Sequence, residues 1–239
     1  MARLYLLVGA LFGLADGLAL RSRPPPRMQF GGGSFKNPFA NKQDGATTMA
    51  VTLLFRCEDR GRSSILGQVS DLASSANTAS PDGIADLCGD TALALLRQYD
   101  RWLQCSNSAE HKGNDDDALR IFDLLAIQEA SKFDGLEKSD TIDAALAAAG
   151  VGPGGAMSPP TNAVVCILAC LMGDREDRFS SKASSGNAAD AKAALTEMAA
   201  AANGDGEIFA FELFWVPGSN TEVVDMDQVA LDWPELMPC

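Results

Sequence analysis

The sequence has few of the side chains that build metal sites and nucleophile–base pairs. It contains one histidine, His111, and six cysteines, none of which form a C-x-x-C pair. Zinc motifs need closely spaced Cys or His ligands, so this spacing excludes the common zinc sites. His111 stands in a polar run, 106–114, which we interpret as a solvated loop and not as the surroundings of a catalytic base. We therefore predict no catalytic residue, no metal and no cofactor.

The sequence also lacks a phosphate-binding loop. Glycines 31–33 are followed by no Lys-Ser or Lys-Thr pair and precede the first predicted strand. The Gly-rich segment 150–155 contains a proline and no dinucleotide-binding pattern. The carboxylates of Asp174, Glu176 and Asp177 alternate with arginines, which is typical of a solvated loop. No motif indicates an enzyme; a hydrolase or transferase whose carboxylates meet only in the folded protein stays the least favoured alternative.

Dispersed cysteines in a chain of this length are typical of small buried hydrophobic residues. Cys166 and Cys170, if they lie on one strand, face the same way. Their separation along that strand, about 13 Å, is too long for a disulfide bond.

Basic residues are in short supply. The chain has 19 Lys and Arg against 32 Asp and Glu, a net charge of −13, which becomes −16 without residues 1–28. Such a surface repels phosphate backbones and argues against nucleic-acid binding. It also disfavours broad contact with an anionic membrane, and it suits docking on a basic protein partner.

The first 28 residues have the composition of a targeting segment. A short basic start precedes an apolar run, 4–14, as in a signal peptide; a marginal membrane anchor is the alternative, although Asp16 interrupts the run. Residues 21–27 are basic, contain Ser and Pro and lack acids, as in plastid transit peptides. We interpret 1–28 as a two-part presequence of the kind found in algae with secondary plastids, and 29–48 as a flexible Gly-containing linker.

Three segments have the composition of buried strands: 49–55, 163–172 and 208–216. Each is apolar, contains β-branched or aromatic residues and is bounded by turn or charged residues. The second is too short to span a bilayer, so we interpret it as a central strand.

Apolar residues at helical spacing predict helices between these strands. The best defined start is Ser80-Pro81, where the serine can cap and proline fits the first helical position. The predicted helices cover residues 63–76, 81–104, 118–133 (led by the acids 115–117), 141–149 and 188–202, with a short helix or turn in 226–236.

The element order β-α-α-α-α-β-α-β predicts an α+β fold. We expect a single domain over residues 49–239, with a small three-stranded sheet and the helices packed on one of its faces. A Gly- and Pro-containing linker is predicted inside it at 150–160.

Three tryptophans are candidates for a partner surface: Trp102, Trp215 and Trp233. They could line a groove for a pigment or a partner. The alternative is that they anchor the core, because each indole buries a large apolar area.

Several stretches together resemble the domain-of-unknown-function 1517 family of cyanobacteria and plastids, which includes plant fluctuating-light acclimation proteins. The stretches are V-T-L-L-F (51–55) with the following helix (67–72), T-A-S-P-D-G-I-A (78–85), T-A-L-A-L-L-R (91–97) with Trp102, S-K-F-D (131–134), A-V-V-C-I-L-A (163–169), F-E-L-F-W-V-P (211–217) and D-W-P-E-L (232–236). Relatives often carry a longer Gly-rich region and a membrane span before this domain; this sequence has only glycines 31–33 and no second span.

The resemblance implies a plastid location, at the thylakoid or in the stroma, and a role in adjusting photoprotection and the thylakoid proton gradient. It implies no activity and no catalytic residue. We therefore expect a non-enzymatic regulator that reaches the thylakoid through a protein partner, a photosystem or antenna complex, with no membrane span in the mature chain. The alternative is a peripheral structural subunit of such a complex.

Overall fold

The computed structural model describes residues 20–21, 45–148, 162–176, 186–204, 207–218 and 223–239. Six antiparallel strands form one sheet in the order β1-β5-β4-β2-β3-β6. Four are long and two have two residues each. Their bounds are β1 Leu20–Arg21, β2 Ala46–Arg56, β3 Trp102–Lys112, β4 Asn162–Met172, β5 Ile208–Val216 and β6 Met237–Pro238.

Five helices surround the sheet: α1 Ile65–Ser75, α2 Pro81–Arg97, α3 Asp115–Ala148, α4 Ala188–Ala201 and α5 Met226–Asp232. Four begin at a side chain that accepts a hydrogen bond from a backbone N–H of the first turn, which satisfies a donor that the helix start leaves free. These capping residues are Ser64, Ser80, Asn187 and Asp225. None of the helices in the described part of the chain is both long and apolar enough to cross a membrane.

The centre of the sheet is the pair β2 and β4. They stay in one antiparallel register along their whole length, from Ala46 opposite Met172 to Arg56 opposite Asn162. Ten of the eleven β4 residues are buried, so this strand has no solvent-facing side. Its continuous apolar sequence follows from that position, because both of its faces must pack against other layers.

Both faces of the sheet are covered. Helices α1, α2 and α4 pack on one face, here called the α2 face, over side chains such as Leu53 and Ile167. Helices α3 and α5 lie on the other, the α3 face, over side chains such as Leu54 and Leu168. The fold is therefore α+β, as expected, but the expectation that the helices lie on one face is wrong.

The expected three-stranded sheet is also wrong, because β3 and the two-residue strands β1 and β6 were not predicted. Residues 102–112 read W-L-Q-C-S-N-S-A-E-H-K, without the apolar alternation that marks a strand. The helix predicted over 81–104 ends at Arg97, and a short 3₁₀ turn, Tyr99–Arg101, leads into β3. The chain keeps its apolar spacing through that turn, which explains why the sequence suggests one continuous helix.

The other predicted elements are close to the observed ones. The strand predicted over 49–55 begins three residues earlier, at Ala46, inside the segment interpreted as linker. The helices predicted over 118–133 and 141–149 are parts of the single helix α3. The predicted linker 150–160 lies outside the described residues. Strand β1, within the predicted presequence, pairs with β5.

The two covered faces can be tested at adjacent positions of β4. We expect Ile167→Ala and Leu168→Ala each to lower the free energy of unfolding by about 2–5 kcal/mol, because both side chains are fully buried on opposite faces. Chemical denaturation measures this. Leu231→Ala, at a side chain that is 80% exposed, is the control and should change stability by less than about 0.5 kcal/mol. A neutral result at either β4 position would mean that one face is open.

Candidate functional site

The three tryptophans predicted as a partner surface, Trp102, Trp215 and Trp233, are all buried. Trp102 and Trp215 belong to the core of the α2 face and Trp233 to that of the α3 face. The indole N–H of Trp102 donates to the carbonyl of Leu95 at 3.2 Å. Trp233 packs edge-on against Phe133, with ring centroids 5.1 Å apart. The sheet separates Trp233 from the other two, and the burial favours the alternative that the tryptophans anchor the cores.

His111 lies on β3 and not in a loop, so that interpretation is wrong. It is partly buried opposite Thr47, with its Nδ1 3.5 Å from the threonine Oγ1. Neighbouring strand residues point to opposite faces of the sheet. Glu110 lines a cavity on the α3 face, so His111 points to the α2 face. No nucleophile on the α3 face of the sheet can use His111 as a base from this position.

In the described start of the charged segment after β4, residues 173–176, Arg175 forms ion pairs that the interpretation as a solvated loop does not predict. The guanidinium of Arg175 donates to Glu197 and Glu207 at 2.8 Å each and to the Met172 carbonyl at 3.0 Å. Its side chain is 13% exposed. These bonds join the end of β4 to α4 and to the residue before β5, so Arg175 has a structural role.

Two of the other acids predicted to lie in a solvated loop, Asp174 and Glu176, are among the described residues. The carboxylate of Glu176 accepts a hydrogen bond from the backbone N–H of His111 at 2.7 Å, and Asp174 is exposed. Asp177 lies outside the described residues.

A cavity of about 470 Å³ lies between α3 and the strands β2 and β3. Its floor follows from the strand register: Thr48, Ala50 and Thr52 of β2 stand opposite Glu110, Ser108 and Ser106 of β3. These small and polar side chains leave space under α3 that large apolar residues would fill. Its walls come from α3, the residue after the β4 turn and the segment after α5: Leu125, Gln128, Glu129, Lys132, Glu176 and Glu235.

An ion-paired triad closes one side of this cleft. The ammonium of Lys132 lies 2.8 Å from Glu129 Oε1, one helical turn earlier, and 2.6 Å from Glu235 Oε1. The lysine and Glu129 side chains are 18% and 12% exposed. Burial works to lower the pKa of Lys132, but the hydrogen bonds and charges of the two glutamates outweigh it and raise that pKa overall.

The second oxygen of Glu129 has an unusual environment. Oε2 is buried and has no hydrogen-bond partner in the described part of the structure. Below it lies the thiol of Cys166, whose pKa is raised well above its ordinary value by burial and further by the charge of Glu129. Burial beside the Glu129 carboxylate thus disfavours the thiolate, which is the reactive form of a cysteine.

The arrangement can hold a cationic or hydroxyl-rich group. Four carboxylates line the cleft against the single ammonium of Lys132, and Ser106, Ser108 and Thr52 add hydroxyls. Within the described ranges, no group of three or more Cys, His, Asp or Glu side chains is arranged to hold a metal ion. The geometry therefore favours recognition of a donor-bearing cation, such as an ammonium or guanidinium, by unpaired carboxylate oxygens.

The sequence did not single out these residues as a site, yet a signal for them was present. Three stretches that carry the family resemblance meet here: 131–134, 211–217 and 232–236. Lys132 of the first pairs with Glu235 of the last. Phe133 stacks on Phe214, with ring centroids 5.5 Å apart. Residues far apart in sequence are thus joined around one wall of the cleft.

Replacement of Lys132 tests the triad. We expect Lys132→Met to lower the free energy of unfolding by about 1–3 kcal/mol at neutral pH, because two partly buried carboxylates lose their partner. The pKa of Lys132 is raised in the folded protein. Its contribution is therefore complete below the pKa of an unfolded lysine, about 10.4, and is lost as the pH rises through the folded-state pKa. The stability gap between wild type and variant should close in that alkaline range.

Lys112→Met is the matched control. Lys112 also pairs with a carboxylate, Glu110, at 2.6 Å, but both side chains are well exposed. Solvent screens such a pair, so its loss should leave the denaturation midpoint almost unchanged. Equal losses of stability in the two variants would show that the triad stabilises the fold no more than an exposed ion pair does.

Comparison with known proteins gives one curated relative and a family. A 63-residue segment is 35% identical to the chloroplastic FLUCTUATING-LIGHT-ACCLIMATION protein 1 of Arabidopsis thaliana; it covers 26% of this chain and 16% of the relative. The chain therefore matches less than a fifth of that protein's length. No solved structure matches significantly. The model of the family described as "Protein of unknown function (DUF1517)" matches residues 40–239, most of the chain, and the protein belongs to this family.

Proposed function

We propose that this protein acts in light acclimation in a plastid, as a regulatory factor that binds another protein and not as a catalyst. The observation that carries the proposal is the segment shared with the chloroplastic protein of Arabidopsis whose name refers to acclimation to fluctuating light. The presequence-like residues 1–28 supply the proposed route into the plastid. At the thylakoid, the protein adjusts photoprotection and the proton gradient.

The cleft supports binding over catalysis. Its hydroxyls and carboxylates face a lysine that is engaged in two ion pairs, and its thiol neighbour is held protonated. His111 points to the other face of the sheet. A hydrolase or transferase would need an activated nucleophile or two free carboxylates across a cleft. Each of the four carboxylates of this cavity already has a partner: Glu129 and Glu235 pair with Lys132, Glu110 pairs with Lys112, and Glu176 accepts from the backbone N–H of His111.

The partner that this surface suits is a protein with a basic segment. The chain carries a net charge of −13, and the cleft adds a local acidic excess beside partly exposed backbone and hydroxyl groups. Complementary charge speeds association and selects against acidic partners. We propose a stromal-facing basic segment of a photosystem or antenna complex as the binding partner.

Location and partnership can be measured together. We expect the full chain with a C-terminal tag to enter the plastid, and an affinity pull-down from solubilised thylakoids to recover photosystem or antenna subunits in amounts that change with light. Mass spectrometry provides the readout. Accumulation in the secretory pathway, or a bait recovered alone in soluble fractions, would contradict the proposal.

Charge reversal at the rim tests whether the cleft is the contact. We expect the double variant Glu110→Lys, Gln128→Lys to reduce partner recovery by about tenfold or more, because it places like charge against a basic segment. Both side chains are exposed and line the cleft. The control, Asp86→Lys with Asp90→Asn, alters two exposed acids on the outer side of α2 and changes the net charge by the same three units. Equal loss in both variants would indicate a general charge effect and no role for the cleft.

A peripheral structural subunit is the second candidate, and one surface feature favours it. Leu124 and Ile127 are 62% and 70% exposed and lie three residues apart on α3, so they share one face of the helix. Exposed apolar side chains are more typical of permanent contacts than of transient ones.

Substitution of that apolar pair separates the two candidates. For a permanent subunit, Leu124→Ser with Ile127→Ser should abolish stoichiometric co-purification with the complex and leave the thermal midpoint unchanged. For a regulator, recovery should be substoichiometric and light-dependent, with little effect of this substitution. Leu93→Ser, on α2 and 39% exposed, serves as the control.

A further inference from the structure

The strand β6 brings two cysteines together at the edge of the sheet. It pairs antiparallel with β3, with Met237 opposite Cys105. The backbone N–H of Cys239 then donates to the carbonyl of Leu103 at 3.2 Å. The pairing of Met237 with Cys105 and the bond from Cys239 to Leu103 therefore fix the position of Cys239 relative to Cys105, although 133 residues lie between the two cysteines in the chain.

The two thiols lie close enough to interact: the Cys239 side chain adds to the burial that raises the pKa of Cys105. The Cys105 thiol donates a hydrogen bond to the Gly186 carbonyl at 3.3 Å. Close packing holds β6 in this place: a Cβ at Gly186 would lie 2.0 Å from the Cβ of Met237, so only glycine permits this approach. Both cysteines are thiols in the structure, and Cys239 is exposed whereas Cys105 is buried.

We propose that Cys105 and Cys239 form a reversible disulfide bond that fastens β6 to β3. A disulfide bond requires the two sulfurs to close to about 2.0 Å, and the strand pairing places both cysteines at the same end of β6, where rotation of the exposed Cys239 side chain supplies this movement. The remaining cysteines are placed differently: Cys166 and Cys170 stand four residues apart on β4, on the α3 face, and Cys88 belongs to the core of the α2 face.

Hydrogen peroxide is the oxidant of this step. The exposed Cys239 sulfur attacks peroxide, its S–O bond forms as the O–O bond breaks, and the products are a sulfenic acid and water. The Cys105 sulfur then attacks the Cys239 sulfur; the S–S bond forms, the S–O bond breaks and a second water leaves. The two thiols lose two electrons and two protons in total, and a dithiol reductant reverses the step by thiol–disulfide exchange.

Exposure and ionisation set the order and rate of these events. Burial raises the pKa of both thiols, and the hydrogen bond from its neighbour partly offsets this for Cys239. Cys239 is therefore the thiol that oxidants reach and the one that ionises more readily. Since the thiolate is the reactive form, the reaction should be slow at neutral pH and accelerate as the pH rises.

Peptide mapping of the full chain tests the bond. We expect treatment with hydrogen peroxide, followed by thiol blocking and proteolysis, to yield one cross-linked peptide pair that contains Cys105 and Cys239, and reduction with dithiothreitol to remove it. The oxidised protein should gain roughly 5–10 °C in thermal midpoint, because the bond closes a long loop of the unfolded chain.

Two variants keep the test decisive. Cys239→Ser, at an exposed position, should fold normally and lose both the cross-link and the thermal shift. Cys57→Ser removes a different thiol and should keep both. Cross-linking to any other cysteine, dimers on a non-reducing gel, or over-oxidation of Cys239 to the sulfinic acid with no cross-link would each overturn the proposal.

Discussion

The pairing of β2 with β4 is the constraint on which the rest of the structure depends. The two strands are bonded along eleven residues and buried on both faces, so each inward side chain must be apolar or must find a hydrogen-bond partner. The two threonines at the start of β2 meet this demand differently. Thr47 donates to the Gly173 carbonyl at 2.7 Å, and Thr48 donates to the Ala118 carbonyl at 2.8 Å. These bonds tie the turn after β4 and the start of α3 to the sheet, one on each face.

This constraint explains which elements the sequence predicts well. Strands β4 and β5 are buried on both sides, so their sequences are continuous apolar runs that can be recognised without knowledge of the fold. The starts of α1, α2 and α4 carry capping side chains, which are local signals within a few residues. The number of layers depends on how the elements pack, so no local signal states it directly. The apolar run of residues 163–172 nevertheless implies it, because a strand that is apolar on both faces needs cover on both sides.

The elements that escaped prediction are those whose neighbours are polar. Strand β3 faces the cleft with Ser106, Ser108 and Glu110, and this polar side removes the apolar alternation by which a half-buried strand is recognised. The cleft was missed for the same reason, because a cavity needs small and polar residues where a core needs large apolar ones. The tryptophans were predicted as a surface but are buried. A large indole can line a partner groove or fill a core, and here the three side chains fill the cores.

The segment after α5 links the cleft to the β3 edge of the sheet, two features that were not predicted from the sequence. Within seven residues, Trp233 enters the core of the α3 face, Glu235 pairs with Lys132 at the wall of the cleft, and Met237 pairs with β3. The chain between Glu235 and Cys239 is too short to absorb a displacement of either end. Trp233 and Leu236, which lie in the core of the α3 face on either side of Glu235, therefore hold its carboxylate beside Lys132, and the pairing of Met237 with β3 fixes the end of the same short segment.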